Sequence, residues 1–118
     1  MSLSRPDKKI VEIRRKAIRS VYEENPGLDD QIDLFVRRLA EQIDHLQDAE
    51  CAGAFDALSE KASLLGDEAE QLGYPDFARI VQKMCLACRE DEANSVYESL
   101  VQLTELTRCI RLGHRGAA

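Results

Sequence analysis

The sequence predicts an all-α protein: one antiparallel up-down four-helix bundle with an additional helix at its N-terminus. Three observations carry this. Apolar residues recur at steps of three and four along most of the chain, which is the period of a helix with one buried face. The few Pro and Gly residues, three and six in 118, fall mainly between those stretches. No stretch alternates apolar and polar residues as a half-buried strand does. At this length the chain is one domain, large enough to bury a core. Its 44% hydrophobic and 32% charged content is that of a globular protein. Aromatic residues are scarce and Trp is absent, so the core is expected to be aliphatic.

The first expected helix runs from Asp7 to Glu24. Ser4 can cap it and Pro6 suits a first turn. Ile10, Ile13, Ala17 and Val21 form a stripe, widened by Val11, Ile18 and Tyr22, and Asn25-Pro26-Gly27 ends it. The second runs from Asp29 to Asp48, with Ile32, Phe35, Val36, Leu39, Ile43 and Leu46 inward; Ala49 to Gly53 breaks it. The third runs from Ala54 to Leu72. Its stripe of Phe55, Leu58, Ala62, Leu65, Ala69 and Leu72 is the cleanest in the chain, and Gly73 is a natural stop. Pro75 opens the fourth, which extends to Arg89 with Phe77, Ile80, Val81, Met84 and Cys88 inward. The fifth runs from Glu92 to Leu112 with Val96, Leu100, Leu103, Thr107 and Ile110 inward. Gly113 is expected to end it. The organisation is thus a basic N-terminal helix and connection (1–28), a bundle (29–113) and a flexible tail (114–118). Short connections between amphipathic helices dictate antiparallel neighbours.

Charge is uneven. Residues 1–22 hold Arg5, Lys8, Lys9, Arg14, Arg15, Lys16 and Arg19 against Asp7 and Glu12. That is a net +5, leaving −11 elsewhere from the total of −6. An acidic body argues against nucleic acid as the main partner. The basic helix lacks Trp or Phe anchors, which weakens a membrane role. Packing on the acidic body, in the same chain or in a homodimer mate, is its expected use. No apolar run approaches the ~20 residues of a membrane span and no signal-peptide pattern opens the chain. The expectation is a cytoplasmic protein with reduced cysteines.

Catalytic and metal chemistry find little support. No phosphate-binding Gly-rich loop, nucleophile elbow or Ser/His/Asp arrangement occurs. Cys85-Leu86-Ala87-Cys88 is a CxxC, but it lies within a helix and lacks a second pair, so core thiols are the better reading. Glu41 and His45 have the wrong spacing for a di-iron bundle site, and no second copy exists. His45 lies on the edge of its helix's apolar stripe, and His114 falls in the tail. No metal and no cofactor are expected.

The informative face is on the third helix. Ser59, Ser63, Gly66 and Glu70 lie along one flank of its apolar stripe, and three of them are small. Mid-helix Gly costs about 1 kcal/mol relative to Ala, so Gly66 implies close approach there, by a neighbouring helix or by a partner. Here the chain resembles the histidine phosphotransfer (HPt) domain family, over residues 29–112, in helix order, length and apolar spacing. The family's signature is His-x-x-Lys-Gly on a bundle helix that ends in Leu-Gly. Leu72-Gly73 matches the ending, which sets Ala62-Ser63-Leu64-Leu65-Gly66-Asp67 on the signature. Leu34-Phe35 and the run to Leu46 match the first long core helix. Ser63 then stands where the phosphorylated His would be, Gly66 replaces the Lys, and Asp67 replaces the Gly. A serine hydroxyl with no His or Lys one turn away to activate it is no phosphorelay acceptor. Asp67 and Glu68 would add repulsion against the acidic pocket of a receiver domain. The resemblance implies a non-phosphorylatable, HPt-like docking or regulatory adaptor, not an enzyme. It would bind a receiver domain or a histidine kinase through Ser59, Ser63, Gly66, Asp67 and Glu70. Two alternatives stay open: a helical dimerisation or scaffold protein with that face buried, and a phosphocarrier using His45.

Overall fold

A computed structural model describes residues 17–117. Among them are four α-helices, one 3-10 turn and no strand. The helices are α1 (Asp29–Cys51), α2 (Phe55–Gln71), α3 (Pro75–Arg89) and α4 (Ala93–Ala117), with the 3-10 turn at Pro26–Leu28 before α1. Each helix packs on the one before it, and α4 closes the ring against α1.

Local chemistry sets the boundaries. Asn25 accepts a hydrogen bond from the Gly27 N–H at 2.9 Å and starts the 3-10 turn. Asp29 and Asp30 occupy the first turn of α1, where the helix dipole favours negative charge. The turns after α1, α2 and α3 share one design. In each, a residue with positive φ follows the helix: Gly53 at 70°, Gly73 at 93° and Asp91 at 58°. The N–H beyond it then bonds the carbonyl five residues back: Ala54 to Ala49, Tyr74 to Ala69 and Glu92 to Ala87. These are Schellman closures, and two of the three use the residue type that bears positive φ without strain. Pro75 opens α3 at a position where its missing N–H costs nothing.

Such tight turns make neighbours antiparallel, and cross-helix contacts fix the register. Gln47 of α1 donates to Thr104 of α4 at 3.2 Å, and Asp33 of α1 meets His114 of α4 at 2.8 Å. Cys85 of α3 donates to the Ser59 carbonyl of α2 at 3.6 Å. The expected inward residues of α1 are all buried, as are Val96, Leu100, Leu103, Thr107 and Ile110 of α4. The core is not aliphatic throughout. Phe35 stacks on Tyr74, with centroids 5.6 Å apart, and meets Phe77 edge-on at 6.4 Å. These rings fill one end of the bundle, where the 72–74 turn brings Tyr74 under α1.

Two expectations fail at the chain ends. The part of the expected N-terminal helix that lies at 7–16 is outside the described residues. Its remainder, 17–24, is not helical: 17–20 carries no regular structure and 21–24 is a turn. The reason is competition for backbone groups. The Ile18 N–H bonds the Cys109 carbonyl at 3.0 Å, and the Val21 N–H bonds the Gly73 carbonyl at 2.9 Å. The Ser20 hydroxyl donates to the Leu72 carbonyl and accepts from the Tyr22 N–H. The segment is a strap tying α4 to the α2–α3 turn. Ser20 is its buried residue, while Val21 is 66% exposed. At the other end, Gly113 does not stop α4, which continues to Ala117. Gly113 is buried within the helix, and an added Cβ would strike the Ile18 carbonyl. This glycine makes room for the strap. The flexible tail expected at 114–118 is therefore helical as far as Ala117.

Candidate functional site

The residues singled out on α2 sort by their angle around the helix. Ser63, Asp67 and Glu70 are exposed, Ser59 is half-buried and Gly66 is buried. Gly66 faces α3. A Cβ built on it would lie 2.8 Å from Val81 Cγ1 and 3.0 Å from Val81 Cβ, so its missing side chain serves the α2–α3 contact. Ser63, Gly66, Asp67 and Glu70 line one wall of a shallow groove of about 220 Å³; Ala78, Val81, Gln82, Cys85 and Arg89 line the other. The wall on α2 is acidic and the far wall ends in a cation.

Among the described residues no imidazole or ammonium lines the groove beside Ser63; the ionisable side chains there are the carboxylates Asp67 and Glu70, the Cys85 thiol and the Arg89 guanidinium. Cys85 is half-buried with its thiol turned to the Ser59 carbonyl. Cys88 is buried, and desolvation, reinforced by Cys85 and Asp56, pushes its thiol up to about 11. A thiol held neutral is a poor nucleophile. Burial likewise raises Cys109. Among the described residues no group of three or more His, Cys, Asp or Glu side chains is placed to hold a metal ion.

No family model, curated protein or solved structure matches this chain.

A second cleft, not anticipated from the sequence, opens between the strap, the start of α1 and the end of α4. It encloses about 450 Å³ and is lined by Arg19, Glu23, Asp29, Asp33, Tyr74 and His114, among others. His114 bonds Asp33 at 2.8 Å, and Arg37 reaches the other oxygen of that carboxylate at 2.9 Å. The His114 hydrogen bond, aided by Arg37, holds the Asp33 carboxyl below its usual range against some desolvation. Burial, with the Glu23 charge adding to it, pushes the Tyr74 phenol to about 12. The cleft was legible only in part. His114 lies four residues beyond Ile110, at the core period, but Gly113 between them reads as a helix stop. His45, the alternative phosphate acceptor, is exposed on α1, and it does not line the α2–α3 groove.

Proposed function

We propose that the protein is a docking or regulatory adaptor of the HPt-like kind that does not carry phosphate. It would engage a receiver domain or a histidine kinase through the outer face of α2 and α3. The observation that carries this reading is the setting of Ser63. It is exposed at the middle of α2, on an open face, at the position that the resemblance equates with the phosphorylated histidine, and among the described residues no imidazole or ammonium lines the groove beside it. Gly66 supports the same reading: Val81 fills the space that a lysine at that position would need. The acidic neighbours Asp67 and Glu70 suit a basic surface on the partner.

The test is a binding experiment with a phosphotransfer control. Receiver domains, phosphorylated and not, and kinase dimerisation domains are titrated into labelled protein and followed by NMR. Shifts confined to Ser63, Asp67, Glu70, Gln82 and their neighbours are expected, together with loss of binding in Ser63→Arg. No phosphate should pass to the native chain. Phosphate uptake that disappears in Ser63→Ala would overturn the reading, as would uptake that disappears in His45→Ala. Binding mapped to another face would overturn it too.

A further inference from the structure

The α2–α3 face is divided by charge. The outward side of α2 carries Asp56, Glu60, Asp67 and Glu70 around Ser63, all exposed. The outward side of α3 carries Arg79, Lys83 and Arg89 with Gln82 and Leu86, also exposed. Arg79 has a partner in Asp76 at 3.0 Å, but both side chains remain more than 60% exposed, so that pair holds weakly. The α2 row is acidic, and the α3 row is cationic apart from Asp76 at its start; the two flank one shallow groove.

Such a face is complementary to itself in one orientation. A two-fold axis running along the groove places α2 of one copy over α3 of the other, carboxylates over cations. An axis across the groove would stack carboxylate on carboxylate, and repulsion excludes it. The register of the monomer then decides which residues meet. Ser59 lies beside Cys85 and Gly66 beside Val81, so Asp67 stands level with Arg79 and Asp56 level with Arg89. Because the axis runs along the helices, these levels carry over to the other copy. Asp67 of each copy faces Arg79 of its mate, and Asp56 faces Arg89. Leu86, 50% exposed, comes level with Ser59, whose small side chain leaves room for it.

We infer that this face binds a second copy of the chain, forming an isologous dimer about a two-fold axis along the α2–α3 groove. Its strength follows from its size. Two helices side by side, each about 10 Å wide and about 22–25 Å long, give about 450 Å² per copy. The total of about 900 Å² falls in the weak class. The dimer is therefore transient and salt-sensitive. It covers Ser63 and the groove, so self-association competes with the partner of the proposed function. That consequence rests on the proposed function, whereas the dimer itself does not.

The test is sedimentation equilibrium over a concentration series, on the protein alone. Dimer is expected at low salt, weakening about tenfold or more as ionic strength rises from about 0.1 M to about 1 M and the Debye length falls from about 10 Å to about 3 Å. Asp67→Arg and Arg79→Asp should each be monomeric, since each places like charges together twice. An equimolar mixture of the two, and the doubly substituted chain, should dimerise again. Asp56→Arg with Arg89→Asp serves as a second pair if a first-pair variant fails to fold. A native chain that is monomeric throughout overturns the inference. So does a dimer that survives the single reversals, or single reversals that the complementary change fails to rescue. Since no partner is present, failure here leaves the docking reading to its own NMR experiment.

Discussion

Replacing Gly66 with Ala tests how α2 meets α3. In isolation the change should help, because Ala is better than Gly in a helix interior by about 1 kcal/mol. Here the new methyl would lie 2.8 Å from Val81 Cγ1, well inside van der Waals contact. Val81 is only 2% exposed, and a valine in a helix is held to essentially one rotamer. It cannot swing aside, so the helices must part. Overpacking of this kind costs about 1–3 kcal/mol, and the propensity gain offsets about 1 of that. The expected net is a loss of about 1 kcal/mol, or a fall of about 4 °C in Tm for a chain of this size. Urea denaturation and calorimetry on Gly66→Ala, Val81→Ala and the double variant read it directly. The double variant should be more stable than the sum of the singles implies, by about 1–2 kcal/mol. If Gly66→Ala alone raised Tm, there would be space beside Gly66. Its small side chain would then belong to the outer face, not to the helix contact.

Three further outcomes follow from single residues. Asp91 holds φ at 58° in a turn whose counterparts use glycine. Asp91→Gly should therefore raise stability by about 1 kcal/mol in denaturant melts, and no change would show that Asp91 is unstrained. The Ser99 hydroxyl is buried and, among the described residues, has no hydrogen-bond partner; Ser99→Ala should be neutral or stabilising by up to about 1 kcal/mol, and a clear loss would mean that the hydroxyl is satisfied. Asp33 is held below its ordinary 3.8 by His114 and Arg37. A carboxyl depressed on folding contributes stability above its unfolded pKa, and loses it as pH falls through the folded value. The His114 link should thus contribute fully above about pH 4 and fade as pH falls from there through the depressed Asp33 value. An NMR titration should place Asp33 below 3.8 in the native chain and nearer to it in His114→Ala. Coincident curves would remove the link.

How much of this was legible depended on whether a local signal had a competitor. On α1, six apolar residues at helical spacing had none, and the same six are buried. Pro75 and the turn at Asp91 left α3 no other limits, so it runs from Pro75 to Arg89 as expected. The strap is the opposite case. Ile18, Val21 and Tyr22 fit a helical stripe, yet the backbone at Ile18 and Val21 bonds carbonyls of Cys109 and Gly73. Those acceptors lie some fifty and ninety residues away, and nothing near Ile18 names them. Gly113 misled for a related reason. A glycine after the last apolar residue is ordinarily a C-terminal signal, but here it sits inside a helix because another segment needs its surface.

Gly66 and Ser63 show the same ambiguity within one row. Sequence spacing puts both on the flank of an apolar stripe, and smallness at either could serve the interior or a partner. Three residues along a helix differ by about 60° in direction, and that rotation carries Gly66 under Val81 while Ser63 stays in the open. The small residue at Gly66 is thus explained by the bundle itself. The exposed serine with its ring of carboxylates is not, since folding needs neither a small residue nor four acids there. The acids also oppose stability, because Glu60, Asp67 and Glu70 share one side of a helix with no cation among them. Such a row is tolerable in a monomer only at the surface, where water screens it. It becomes favourable when a basic surface covers it. The cationic side of α3 on a second copy of the same chain would be such a surface, which is why the charge-reversal pair at Asp67 and Arg79 is the decisive test of that proposal.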